Sequence, residues 1–87
     1  MVSAITKVIN PQGIHMRPAQ LFVDTMAQYP CDVTILCNDA VINGKSIMHL
    51  MAAPIRQGSE LEIRCSGPRE TEALKAAVEL IESGLGE

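Results

Sequence analysis

Histidine and arginine stand two positions apart in the stretch Gly13-Ile14-His15-Met16-Arg17-Pro18-Ala19, framed by a glycine and a proline. Pro18 fits the first turn of a helix, because the amide it lacks would have no intrahelical partner there. That places His15 near the N-cap. The unpaired first-turn amides and the helix macrodipole make such an end attractive to anions. The planar donor fork of Arg17 suits phosphate oxygens. An imidazole in this position is suited to accept, hold and pass on a phosphoryl group. The plain alternative is a polar residue that merely tolerates a helix start.

A second candidate is Ser46, which follows Asn43-Gly44-Lys45 and precedes Ile47-Met48-His49-Leu50-Met51. Serine caps helices for about 1 kcal/mol and needs no other role. The helix it would cap is the reason to look further. Ile47, Leu50 and Met51 can share one face, Met48 points elsewhere, and an exposed methionine beside a capping serine suits a docking surface. A phosphoryl group on Ser46 would put a dianion at a helix N-terminus. His49 is expected to face solvent, with a position near His15 as the alternative. A metal site from His15, His49 and a cysteine lacks recognisable ligand spacing, so neither metal nor cofactor is expected. No Ser-His-Asp order and no Walker A loop are present. Glu70, Glu72, Glu79 and Glu82 form the solvated face of the last helix.

The elements that must position these groups can be read in order. Residues 2–9 are rich in β-branched side chains and form a first strand; imperfect alternation leaves its buried face open. Asn10-Pro11-Gln12-Gly13 is a loop. A helix from about Met16 to Gln28 carries the stripe Ala19, Phe22, Val23 and Met26, and Tyr29-Pro30 ends it. Asp32 to Cys37 alternates with Val33, Ile35 and Cys37 inward. Asn38-Asp39 turns the chain into a hairpin partner, Ala40-Val41-Ile42. A short helix from Ile47 to Ala52 or Ala53 is stopped by Pro54. Glu60 to Ser66 alternates with Leu61, Ile63 and Cys65 inward. Gly67-Pro68 introduces a last helix, Arg69 to Ser83, with Leu74, Ala77, Val78 and Ile81 as its stripe and Gly84 as its C′ residue. The order βαββαβα predicts an α+β fold, a two-layer open-faced sandwich with a four-stranded antiparallel sheet covered on one face by three helices. Asp32, Thr34, Glu60, Glu62 and Arg64 would line the solvated face.

Composition narrows the functions available. At 87 residues the chain makes one domain over 1–87, with 47% hydrophobic residues to fill a single core. Phe22 and Tyr29 are its only aromatic residues, so nothing offers a platform for stacking bases. Seven basic against ten acidic residues, net −3, argue against direct binding of nucleic acid. No apolar run approaches the roughly 18 residues of a membrane span, and the first residues lack the pattern of a signal peptide. Cys31, Cys37 and Cys65 are odd in number and show no Cys-x-x-Cys spacing, which argues against a disulfide framework and fits a reducing cytoplasm. Cys37 and Cys65 fall on the inward parity of their strands and are expected in the core. A domain this small is better suited to being handled by other proteins than to being a complete enzyme.

Together, Gly13-Ile14-His15-Met16-Arg17-Pro18-Ala19, Lys45-Ser46-Ile47-Met48 and the ending Gly84-Leu85-Gly86-Glu87 resemble HPr, the histidine phosphocarrier family of the phosphoenolpyruvate-dependent sugar phosphotransferase system. The resemblance covers essentially the whole chain. It implies that His15 takes a phosphoryl group on Nδ1 from phospho-enzyme I and gives it to enzyme II components of the A type. Arg17 and the first-turn amides would steady that group. Ser46 would be the target of an ATP-dependent HPr kinase/phosphorylase, linking the protein to a catabolite-control transcription regulator. Ile47, Met48 and Met51, with Met16 and Gln20, would form the surface that partners grip, and the carrier would act as a cytoplasmic monomer. Met16, Asp24, His49 and Pro54 depart from the residues usual in the family and bear on which partners recognise the chain. Two alternatives differ in class: a regulatory binding module acting mainly through Ser46, and a carrier in a dedicated non-sugar phosphorelay. The intact His15-Arg17 pair favours the sugar-system carrier over the first, and Lys45-Ser46 leans against the second.

Overall fold

The computed structural model describes residues 1–11 and 13–85. Gln12 of the first loop and Gly86-Glu87 of the ending motif lie outside the described residues. Strict alternation sets the two inner strands where the sequence predicts them, β2 at Asp32–Cys37 and β4 at Glu60–Ser66. Between and around them run β1 (Val2–Lys7), α1 (Met16–Met26), β3 (Ala40–Asn43), α2 (Ile47–Ala52) and α3 (Glu70–Glu82). The order is βαββαβα, as expected, and the sheet order is β1-β4-β2-β3 with every neighbouring pair antiparallel.

Register explains the two faces. One row across the sheet runs Ala4, Ile63, Ile35, Ile42 and faces the helices; Ile63, Ile35 and Ile42 are buried. The next row, Ile5, Glu62, Leu36, Val41, faces away from them. Asp32, Glu60 and Arg64 on that outer face are exposed, while Thr34 and Glu62 are half-buried. Asn38 and Asp39, at φ 47° and 70°, make the two-residue turn of the β2–β3 hairpin. Phe22 and Met26 of α1, Leu50 of α2 and Ile81 of α3 are fully buried against the inner face, and truncating such an aromatic to alanine costs about 3–5 kcal/mol. Cys31 is buried with Cys37 and Cys65. Burial first, and neighbouring Cys31 second, push the Cys65 thiol up to about 11, so it behaves as core rather than as a nucleophile.

Several boundaries differ from the sequence expectation. β1 stops at Lys7 rather than residue 9 because only half of the next pairing forms: Val8 N–H still donates to the in-register Ser59 carbonyl (3.0 Å), but Ser59 N–H turns to Arg56 and Val8 carbonyl accepts from Gly58 N–H (2.7 Å). α1 stops at Met26, not Gln28: the amides of Gln28 and Tyr29 turn to the carbonyls three residues back, those of Thr25 and Met26. In α3 the buried stripe is Ala73, Ala77 and Ile81, while Leu74 and Val78 are only half-buried. The alanine side is the one that lets the helix approach closely. Arg69 is the N-cap rather than the first turn, in the left-handed region at φ 60°. Its guanidinium lies 4.9 Å from the centre of the Tyr29 ring and 2.8 Å from Glu72.

α3 ends in a closed turn that also holds the first loop. Gly84 adopts φ 88°, its N–H donates to Ile81 carbonyl at 3.2 Å, and Leu85 N–H donates back to Leu80 at 2.9 Å. This pair of bonds is a Schellman closure, and it buries Leu85. Among the described residues, no helix is long and apolar enough to cross a membrane.

Candidate functional site

The approach to His15 is shaped by contacts from distant parts of the chain. The Asn10 side-chain amide donates to the Gly84 carbonyl at 2.6 Å, tying the first loop to the closure of α3. Gly13 N–H then donates to Asn10 carbonyl at 3.0 Å. Gly13 sits at φ +69°, and a Cβ there would collide with the Ile55 carbonyl oxygen and lie 2.9 Å from Arg56 Cα. Only glycine lets the chain pass so close to residues 55–56. Ile14 is buried beside it, and the next residue starts the helix.

His15 is the N-cap of α1, with extended backbone at φ −114° and no side-chain cap hydrogen bond. Its carbonyl accepts the first helical bond from Ala19 N–H at 2.9 Å, which leaves the amides of Met16 and Arg17 ahead of the intrahelical ladder. The imidazole is half-buried, while Met16 and Arg17 are exposed. His15, Met16, Arg17, Gln20, Leu21 and Asp24 line one shallow hollow on the outer side of α1. Four expected residues, His15, Arg17, Met16 and Gln20, therefore come together. Asp24, expected to bear on partner choice, and Leu21, which was not among the expected contact residues, complete the hollow. The signal for Leu21 was available: it is apolar yet lies off the buried stripe. Gln20 Nε2 donates to Asp24 Oδ1 at 2.8 Å one turn on, which steers that carboxylate along the helix.

Ser46 stands on the neighbouring element and outside the lining of that hollow. It caps α2, its Oγ accepting from His49 N–H at 3.2 Å. Lys45 reaches across to the Tyr29 carbonyl at 2.5 Å, fastening the loop before Ser46 to the end of α1. Of the three apolar residues expected to share a face, only Leu50 is buried; Ile47 is half-buried and Met51 is 42% exposed. Met48, at 82%, is the most exposed large apolar side chain among the described residues. α2 packs on α1, so these methionines neighbour the helix that carries the hollow. His49 is exposed, as expected, and faces the β3 side rather than His15.

Comparison with known proteins bears on this arrangement. Residues 2–83 match the family model for the PTS HPr component phosphorylation site. The chain is similar to the phosphocarrier protein HPr of Neisseria meningitidis, with 36% identity over 87 residues covering 100% of this chain and 98% of that one. It is 40% identical to the phosphocarrier protein HPr of Pseudomonas aeruginosa over 81 residues, 92% of this chain and 90% of the other. The crystal structure of HPr from Thermoanaerobacter tengcongensis superposes with a TM-score of 0.94 at 37% identity, covering 100% of this chain and 98% of that chain.

Proposed function

The chain belongs to the PTS HPr family of phosphocarrier proteins, and on that premise we propose that His15 is its phosphoryl acceptor and donor. HPr proteins are carriers rather than enzymes, so the protein is itself the substrate of its partners. In the proposed transfer, the Nδ1 lone pair of His15 attacks the phosphorus of phospho-enzyme I. The new N–P bond forms as the donor's N–P bond breaks, its electrons leaving with the donor nitrogen. The phosphoryl oxygens turn toward the amides of Met16 and Arg17 and the Arg17 guanidinium. The reverse displacement delivers the group to an enzyme II component of the A type. The observation that carries this reading is the placement of His15 as N-cap of α1, on one hollow with Arg17. Met16, Gln20, Ile47, Met48 and Met51 would supply the docking surface of a monomeric, single-domain, cytoplasmic carrier.

A regulatory role at Ser46 is supported by a separate observation, its hydroxyl at the start of α2 beside exposed Met48. A phosphoryl group there would keep the cap and reverse the local charge, slowing transfer through His15 and creating a surface for a catabolite-control regulator.

Labelling separates these readings. Wild type, His15→Ala and Ser46→Ala are incubated with phosphoenolpyruvate and enzyme I, or with ATP and an HPr kinase. The carrier reading expects an acid-labile label from phosphoenolpyruvate that only His15→Ala loses. The regulatory reading expects an acid-stable label from ATP that only Ser46→Ala loses. If cognate enzyme I leaves His15 unlabelled, the carrier reading fails and the Ser46 module takes its place.

A further inference from the structure

His49 is a side chain the transfer does not use, and its ring lies on the open side of the sheet's last strand. It lines a groove with Asp32, Thr34, Val41, Asn43 and Lys45. β3 is an edge strand. Gly44 N–H donates inward to Val33 carbonyl at 2.9 Å, so by the alternation of a ladder the Asn43 N–H points away from β2. An outward amide on an edge strand is ordinarily left to water or to another strand. Here the imidazole takes it: Asn43 N–H donates to His49 Nδ1 at 3.3 Å.

Three further bonds make this contact more than a local detail. Lys45 N–H donates to Asn43 Oδ1 at 2.9 Å. Ser46 N–H donates to Asn43 carbonyl at 3.1 Å. His49 N–H donates to Ser46 Oγ at 3.2 Å. Asn43 is thus bonded to both sides of Ser46, and His49 closes the ring by holding Asn43 with its side chain and Ser46 with its backbone. An imidazole nitrogen can accept only while it carries no hydrogen, which requires the neutral ring with its proton on Nε2.

We propose that His49 is a proton-controlled positioning residue for Ser46. Neutral, it latches the Asn43 amide and fixes the segment from Asn43 to Ser46. When Nδ1 takes a proton from solvent, its lone pair is consumed and two N–H groups face each other. The latch opens, and Ser46 loses the support that sets its hydroxyl. Among the described residues the charged groups facing the ring in this groove are Asp32 of β2 and Lys45 of the loop, of opposite sign. Lys45 is held by the Tyr29 carbonyl, and no charged group of α1 lines the groove. The consequence for phosphorylation rests on the proposed modification of Ser46; the latch itself does not.

The test uses unmodified, isotope-labelled full-length protein. Long-range proton–nitrogen spectra report the tautomer of each ring, with His15→Ala assigning which is which. Amide shifts and protection at Asn43 and Ser46 are followed over about pH 5–8, the range in which histidines titrate. The neutral His49 ring is expected as the Nε2–H tautomer, with both amides moving in step with its protonation. Asn43 protection should fall by about fivefold or more across that step, the size of one lost hydrogen bond. His49→Gln, which keeps an acceptor but does not titrate, should hold Asn43 protected at every pH. His49→Lys, which has no acceptor, should leave it open at every pH. An Nδ1–H tautomer, or an Asn43 amide indifferent to both ring protonation and His49→Lys, overturns the latch. With an active HPr kinase, the initial rate of Ser46 labelling should fall in acid for wild type relative to His49→Gln. A wild-type Ser46 that no kinase labels defeats the regulatory reading, and the amide data then decide the latch alone.

Discussion

α1 and α2 both begin at a candidate site, and they begin differently. At the start of α1, the N-cap side chain of His15 makes no cap hydrogen bond. The loop before it is held in place by Gly13 against Ile55 and Arg56 and by Asn10 against Gly84. At the start of α2, the Ser46 hydroxyl is itself the cap, and the surrounding bonds run among Asn43, Lys45, Ser46 and His49. α1 has 11 residues and α2 has 6; a helix of fewer than two turns depends far more on its cap. In the proposed roles, the reacting side chain is not the cap at His15 and is the cap at Ser46. Substitutions can therefore separate function from stability at the first site more cleanly than at the second.

The largest effect should come from the first site. His15→Ala is expected to abolish the acid-labile label while circular dichroism shows α1 intact, because the carbonyl that accepts from Ala19 is backbone and survives. Arg17→Ala should slow labelling on the order of a hundredfold, as loss of a transition-state donor does, and Arg17→Lys should fall between. Labelling rates from phosphoenolpyruvate read both; a rate unchanged in Arg17→Ala removes the guanidinium from the proposed transfer.

Support at the same site can be broken from outside it. Gly13→Ala places a methyl group against Ile55 carbonyl in a left-handed conformation. It should cost at least about 2 kcal/mol in urea unfolding, and it should slow labelling although no reacting atom is changed. Labelling at the wild-type rate would show that the loop does not set the position of His15.

A smaller effect is expected at Ser46. Ser46→Ala should lose about 1 kcal/mol of stability with the cap, and Ser46→Asp, which can also accept from His49 N–H, should recover most of it. Equal denaturation midpoints for wild type and Ser46→Ala would remove the cap from the comparison.

The smallest effect lies away from both helix starts. The Glu70 carboxyl is held below its ordinary 4.5, first by the Met1 ammonium and then by Gly67 N–H. The ammonium lies 3.0 Å from Oε2 and Gly67 N–H donates to Oε1 at 3.2 Å. A depressed carboxyl contributes stability that is present above its unfolded value and lost as pH falls through the folded one. Wild type should thus exceed Glu70→Gln in melting temperature at neutral pH, with the gap closing on acidification below about 4.5. Salt should narrow it as well, because the pair is exposed.

How far the sequence foretold this architecture varies by element. β2 and β4 were legible to the residue because alternation is strict and one face is buried. The hairpin turn, the pre-proline end of α2 and the Gly84 closure were legible because each rests on local backbone chemistry. The end of β1 was not: Val8 is apolar, β-branched and buried, yet the ladder breaks there because Ser59 N–H turns to Arg56 and leaves the Val8 carbonyl to Gly58. A partner some fifty residues away leaves no local trace. The choice of Ala73 over Leu74 as the buried position of α3 was hidden for a related reason, since periodicity gives a stripe but not how closely the helix approaches. At the candidate site, the residue types and their spacing singled out His15, Arg17 and Ser46 as candidates, and the structure places the first two on one hollow and Ser46 outside it. The bond from Asn43 to His49 was invisible because it depends on which way an edge-strand amide points.

The bond from Asn10 to Gly84 has a consequence for how the protein comes into being on the ribosome. The histidine and its loop emerge early, but the carbonyl that anchors Asn10 belongs to a residue 74 positions later and is presented only after α3 closes. Synthesis runs from the amino end at about 5–20 residues per second. For several seconds a nascent chain therefore displays His15 without the fastening that sets its approach. Any contact that depends on the set position of this loop thus waits on the last turn of α3.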